Sequence, residues 1–221
     1  MPASELTAAR RAVLESVASR VPIHTRDGVR VAIDGVDGAG KTVFADDLAA
    51  VLRCTARHVV RISADDFHNP HLFRHRRGRS SPEGFWLDSY DYAALGTRAL
   101  DPFGPGGSLR YQSASHDLAT DEPLEPPVQT APPGAVLVVD GLFLHRDELV
   151  GAWDLSLFLQ VPFAVSVGRL AARDGTHPDP EHHSLVRYVE GQRIYFMACR
   201  PWQRADLVID AADLDAPTLS V

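Results

Sequence analysis

Gly35-Val36-Asp37-Gly38-Ala39-Gly40-Lys41-Thr42 reads as G-x-x-x-x-G-K-[ST], the pattern of a loop that wraps a polyphosphate in its own backbone N–H groups. Gly35, Gly38 and Gly40 lack a Cβ, so the chain can take backbone angles closed to other residues and approach an anion closely. Lys41 supplies a compact positive charge to the outer phosphates. Thr42 places a hydroxyl where Mg²⁺ would sit. Gly35, Val36, Asp37, Gly38, Ala39, Gly40, Lys41, Thr42 and Val43 are therefore the expected cofactor-binding residues. The motif indicates a nucleoside-triphosphate site and leaves the reaction open, because GTPases, ATPases and kinases share it.

Outward from the loop, Val29-Arg30-Val31-Ala32-Ile33 is a β-branched run leading in, and Val43, Phe44, Leu48, Val51 and Leu52 recur with helical spacing leading out. Strand, glycine loop and helix stand in the order that aims a helix N-terminus and the loop amides at one anion. The same patterning predicts strands at 29–34, 58–62, 135–140, 155–160 and 206–210, and helices near 4–19, 41–53, 89–99, 163–174 and 184–199. Alternating strands and helices favour a parallel sheet covered on both faces. The expected fold class is α/β: a P-loop NTPase three-layer α/β/α arrangement with a mainly parallel five-stranded sheet and a lid, in a single domain over residues 1–221. Residues 68–87, rich in His, Arg, Gly and Pro, and 101–134, rich in Pro and Gly, interrupt the alternation. Both fall between the second and third strands. Substrate-binding insertions at about 68–134 are thus expected over the C-terminal edge of the sheet, where open α/β folds take their ligands. A lid is expected at about 169–190, with Gly175 to Glu181 as its flexible segment.

Composition narrows the partners. A chain of 221 residues suffices for one α/β domain with a lid. Its net charge of −7 argues against non-specific nucleic-acid binding. No apolar run approaches the ~20 residues that span a bilayer, so a membrane is not expected either. Leu6, Val13, Leu14, Val17 and Val21 suggest one face of an amphipathic helix rather than a signal-peptide core. Cys54 and Cys199 have no metal-ligand spacing and read as buried thiols in a reducing cytoplasm. Homo-oligomerisation is left open.

Two acidic positions select among reactions. Ala135 to Val139 is an apolar strand ending in Asp140, where a carboxylate reaches Mg²⁺ directly or through water; the alternative is a turn or N-cap aspartate. Val59 to Ser63 ends in Ala64-Asp65-Asp66-Phe67-His68. If this strand neighbours the first, an acid at its tip lies near the γ-phosphate and can take the proton of an attacking hydroxyl. Asp65 is the expected base, with Asp66 as the alternative.

Taken in order, Gly35 to Thr42, Ile62 to His68, Asp88-Ser89-Tyr90-Asp91-Tyr92, Val138 to Gly141 and Arg204 to Asp210 resemble the uridine kinase branch of the phosphoribulokinase, uridine kinase and pantothenate kinase family. The resemblance runs from about residue 29 to 210. It implies ATP and Mg²⁺ as cofactors, Asp65 as base, Asp88 on the ribose hydroxyls, Tyr111 and His116 on the pyrimidine, and Arg169 and Arg173 as lid arginines that contact phosphates. His68, also expected among the substrate-binding residues, stands where such kinases often carry Tyr, and Asp140 where they carry Glu. The Arg-rich stretch His71 to Arg79 is unlike the better-known members.

Weaker signals keep two readings each. Asp88 and Asp91 are spaced as acids at a helix start. Arg169 and Arg173 share a helix face, either solvated or part of a lid that balances charge during transfer. Arg74, Arg76, Arg77 and Arg79 read as a loop closing on phosphates or on a neighbouring subunit. The expected function is ATP-dependent phosphorylation of the 5′-hydroxyl of uridine or cytidine. Another small alcohol (pantothenate, a sugar or nicotinamide riboside) is the first alternative, and a regulatory NTP-binding switch the second.

Overall fold

The computed structural model describes residues 6–220. Residues 4 and 5 of the helix expected over 4–19 lie outside the described residues. The helix itself, α1, is Ala8–Ala18, and Thr7 Oγ1 accepts the Arg10 N–H as its N-cap. Then follow β1 (Val29–Gly35), α2 (Lys41–Cys54), β2 (Val59–Ser63), α3 (Pro82–Asp88), β3 (Val136–Gly141), β4 (Leu155–Gln160), α4 (Phe163–Asp174), α5 (Val186–Cys199), β5 (Leu207–Asp210) and β6 (Thr218–Ser220). No described helix is long and apolar enough to cross a membrane.

The sheet has six strands rather than five, ordered β6-β5-β4-β1-β3-β2. The extra strand, β6, pairs antiparallel with β5, Leu219 facing Ile209. It is too short to carry a readable period. All other neighbours are parallel. The strand order corrects a second expectation: β2 does not neighbour β1. Val31 pairs with Val138, and Val138 with Arg61, so β3 lies between them. Its residues are apolar toward both faces, as a central strand requires, and every one is buried.

One face of the sheet packs against α1 and α2 through Leu14, Val17, Phe44, Leu48 and Leu52. The other carries Phe67, Phe85, Trp86, Phe103, Phe143 and Tyr195, from the insertion, α3, the loop after β3 and α5. Phe143 meets Phe85, Trp86 and Tyr195 edge-on at 5.4, 5.0 and 5.1 Å between centroids, the arrangement that ring quadrupoles favour. This cluster anchors the insertion to the sheet.

The helix expected over 89–99 is instead a series of short pieces. Residues Tyr92–Leu95 form one turn, Gly96–Leu100 a π-turn, and Asp101–Phe103 another short turn. Asp91 Oδ1 accepts the Ala94 N–H and caps the first of these. Asp88 is not at a helix start; it ends α3, where the helix dipole disfavours an acid. Cys54 is exposed, against expectation, and Cys199 is buried.

Asp34 ties three elements together directly behind the loop. Its buried carboxylate accepts from the Gly35 N–H at 2.7 Å, from His145 Nδ1 at 2.9 Å and from the Tyr195 hydroxyl of α5. Burial first, and then the Asp34 charge, push the Tyr195 phenol well up, so it remains a donor. Tyr195→Phe removes one of these donors. It should destabilise the protein by about 1–3 kcal/mol, read as a lower urea midpoint at unchanged m-value. An unaltered midpoint would show that Asp34 needs no help from α5.

Candidate active site

Gly35 to Thr42 bridges the end of β1 and the start of α2. Gly38 and Gly40 have φ of +76° and +89°, the left-handed region where a side chain is strained. A Cβ on Gly38 would also collide with the Ser166 carbonyl oxygen of α4. No side chain caps α2, whose N-cap is Gly40, so its first-turn amides are open to an anion. Lys41 Nζ donates to the Val36 carbonyl at 2.9 Å, which folds its charge back over the loop. The Asp37 N–H is met from α5 by Gln192 Oε1 at 2.7 Å.

Parallel pairing of β3 with β1 and β2 sets Asp140 opposite Ile33 and Ser63. Its Oδ2 accepts the Thr42 hydroxyl at 2.7 Å, and its Oδ1 accepts Arg61 Nη2 at 2.8 Å. Arg61 also reaches Asp46 and the Val138 carbonyl. A hydroxyl and a carboxylate oxygen at hydrogen-bonding distance form a hard-oxygen pair suited to Mg²⁺. That ion commonly takes one or two protein oxygens and fills its octahedron with phosphate and water. Accordingly, no group of three or more His, Cys, Asp or Glu among the described residues could hold a metal alone. Thr42 and Asp140 fit Mg²⁺ carried in with a triphosphate.

Asp65 sits on a single 3₁₀ turn, Ala64–Phe67, directly after β2. Gly141 lets this turn press against the end of β3, since a Cβ there would stand 2.5 Å from Ala64 Cβ. The Tyr90 hydroxyl donates to Asp65 Oδ1 at 2.9 Å. Burial, reinforced by the Asp65 charge, pushes the Tyr90 phenol well above its usual range and keeps it a donor. His68 is buried and held below ordinary imidazole basicity. Its ring lies 4.4 Å from that of Tyr90 between centroids. Burial, then the charges of Asp65 and Asp140, raise the Asp66 carboxyl.

These groups surround one cleft of about 300 Å³. It is lined by Asp37, Gly38, Gly40, Lys41, Thr42, Val43, Asp140 and Arg173 together with Asp65, His68, Phe85, Tyr90, Leu118, Leu142 and Tyr188. Asp65 lines it and Asp66 does not. Although β3 separates β1 from β2, the acid and the loop share this space, because both leave the same edge of the sheet.

Three other expected site residues are placed elsewhere. The Asp88 carboxylate is buried and held by Arg76 Nη2 at 2.6 Å and Arg77 Nε at 2.9 Å, so both oxygens are engaged. Tyr111 lies in a two-residue strand against Gln129, with its hydroxyl on Gln129 Oε1 at 3.0 Å. His116 is buried with Nε2 3.0 Å from Asp121. None of these three lines the cleft. Arg169 donates to the Ala211 and Ala212 carbonyls at 3.0 and 2.8 Å beside the loop. Arg173 lines the cleft and pairs with Asp174 at 2.7 Å. Sequence reasoning did not single out Tyr90, Tyr188, Gln192 or Arg61. Tyr90 stood inside a quoted motif, but its contact with Asp65 spans 25 positions and leaves no local pattern.

No family model matches the sequence, and no curated protein sequence matches it. Solved structures do match in shape. A possible uridine kinase from Bacillus stearothermophilus superposes with a TM-score of 0.69 at 19% identity, over 90% of this chain and 96% of that one. A provisionally named fructose transport system kinase from Silicibacter sp. TM1040 gives 0.71 at 23% identity, over 90% and 98%. D-glycerate 3-kinase from Cryptococcus neoformans gives 0.53 at 12%, over 87% and 89%. At such identities the likeness is one of fold alone: a mainly parallel sheet flanked by helices.

Proposed function

We propose that the protein transfers the γ-phosphoryl group of ATP to the hydroxyl of a small-molecule alcohol. One observation carries this reading: Lys41, Thr42 and Asp140 share a single cleft with the carboxylate of Asp65. The loop amides and Lys41 hold the β- and γ-phosphates. Thr42 and Asp140 would hold Mg²⁺, which would supply charge neutralisation. Asp65 Oδ2, the oxygen not engaged by Tyr90, takes the hydroxyl proton as that oxygen attacks phosphorus and the bond to ADP breaks. Arg173, near the end of α4, balances charge as its salt bridge with Asp174 opens. Orientation and electrostatics do nearly all the work. The names of the fold relatives, kinases of a nucleoside, a sugar system and a hydroxy acid, support an alcohol acceptor.

The finer reading, a pyrimidine ribonucleoside phosphorylated at its 5′-hydroxyl, rests on the sequence resemblance. Its support is Asp65 and His68 at the cleft; Asp88, Tyr111 and His116 would have to reach the acceptor after closure. The test is ADP release from MgATP with uridine, cytidine, D-fructose, pantothenate, nicotinamide riboside and D-glycerate in turn. At least one should raise ADP release at least ~10²-fold over the acceptor-free rate, since orientation and base catalysis both act only on a bound acceptor. Nucleotide binding with no acceptor-dependent turnover would instead favour a nucleotide-regulated switch.

A further inference from the structure

His68 follows the turn that carries Asp65 and lines the same cleft. Its Nδ1 lies 2.7 Å from the Asp65 carbonyl oxygen. A carbonyl can only accept, so in the neutral ring Nδ1 carries the proton and Nε2 keeps a bare lone pair. The ring is packed against Tyr90, so the turn sets its orientation as well as its tautomer. Burial lowers the basicity of this imidazole and so preserves the neutral form. The Nδ1 contact is the ring's only hydrogen bond among the described residues. Asp65 Oδ1 is engaged by Tyr90 in the same way, which leaves Oδ2. Two hydrogen-bond acceptors, three residues apart, thus remain for a ligand: Asp65 Oδ2 and His68 Nε2. Both call for donors.

Charge points the same way. Among the described residues, the cations lining the cleft are Lys41, folded over the Gly35 to Thr42 loop, and Arg173, paired with Asp174 at the end of α4. Three arginines of the neighbouring insertion are turned onto protein groups. Arg76 and Arg77 hold Asp88, and Arg74 holds the Asn69 carbonyl and Asp121. Arg187 holds the carbonyls of Arg74 and Ser81. A carboxylate or phosphate on the acceptor would therefore face the Asp65 charge, with Lys41 and Arg173 committed to the transferred phosphoryl group.

We propose that the acceptor is an uncharged polyol, one hydroxyl of which gives its proton to Asp65 while a second donates a hydrogen bond to His68 Nε2. This deepens the phosphoryl-transfer reading and rests on it. The hydroxyl-reading role passes from Asp88, already held by two arginines, to His68. The first oxygen bonds to the γ-phosphorus as the bond to ADP breaks, and its proton moves to Asp65 Oδ2. The second hydroxyl keeps its proton.

The experiment measures ADP release from MgATP with matched probes: glycerol against D-glycerate, D-fructose against D-gluconate, and uridine against 2′,3′-dideoxyuridine. Wild type, His68→Ala and His68→Gln are compared, with MgATP binding followed separately by calorimetry. In wild type the uncharged partner of each charged pair should be favoured in kcat/KM, and uridine should exceed its dideoxy form by ~10-fold or more. His68→Ala should raise the acceptor KM by ~10-fold and abolish the dideoxy discrimination, with MgATP affinity retained. His68→Gln, whose amide oxygen can accept, should restore part of it. A preference for D-glycerate or D-gluconate would overturn the proposal and leave the kinase reading standing. So would undiminished dideoxy discrimination in His68→Ala. ADP release with no probe above the acceptor-free rate would overturn both.

Discussion

Asp65→Asn is expected to lower kcat by ~10²-fold or more while changing the KM for MgATP little. Asparagine keeps the shape of the carboxylate and an oxygen for the Tyr90 hydroxyl to meet, 2.9 Å away in the native site. It presents an amide where Oδ2 stood, and an amide cannot take the proton of the attacking alcohol. Because the mutation alters only proton transfer, the loss should fall on kcat rather than on nucleotide affinity. Asp66→Asn is the control. That carboxyl is raised by burial and by its acidic neighbours, and it does not line the cleft, so its replacement should cost far less. Steady-state ADP release with the best acceptor separates the two. Equal turnover of Asp65→Asn and wild type would remove Asp65 as the base.

Lys41→Ala is expected to depress kcat/KM for MgATP by ~10²–10³-fold with every acceptor, since the lysine acts on phosphate oxygens common to all of them. In the structure its ammonium rests on the Val36 carbonyl, within the loop it would serve, and needs only to swing outward to meet a phosphate. Fold and stability should be intact, because the side chain's hydrogen bond is to the loop's own Val36 carbonyl. Unchanged MgATP kinetics in this variant would mean that the loop does not hold the triphosphate. An equal loss for all acceptors, set against an acceptor-dependent loss for His68→Ala, would divide the cleft into its two halves.

The two halves were unequally legible in the sequence. The phosphate half is local: eight consecutive residues carry the glycines, lysine and threonine, and the helix that follows shows its period within a dozen more. Asp140 could be placed because an apolar strand ending in acid is also a local pattern. The acceptor half is not local. Tyr90 reaches Asp65 across 25 positions, and Arg76 and Arg77 reach Asp88 across 12 and 11 through an insertion without a regular period. Asp88 looked like a helix-start acid because Asp88 and Asp91 have one-turn spacing. In the folded chain that turn belongs to Asp91 alone, and Asp88 is the buried counter-ion of two arginines.

From residue order alone come the α/β alternation, the glycine loop between the first strand and its helix, and the pair of strands followed by acids, because hydrophobic period and glycine placement act over a few residues at a time. Tertiary structure decided that β3 separates β1 from β2, that Asp65 rather than Asp66 enters the cleft, and that His68 turns Nδ1 onto the Asp65 carbonyl. Each of these depends on which distant groups the sheet and the aromatic cluster bring within hydrogen-bonding distance, and no local spacing encodes that.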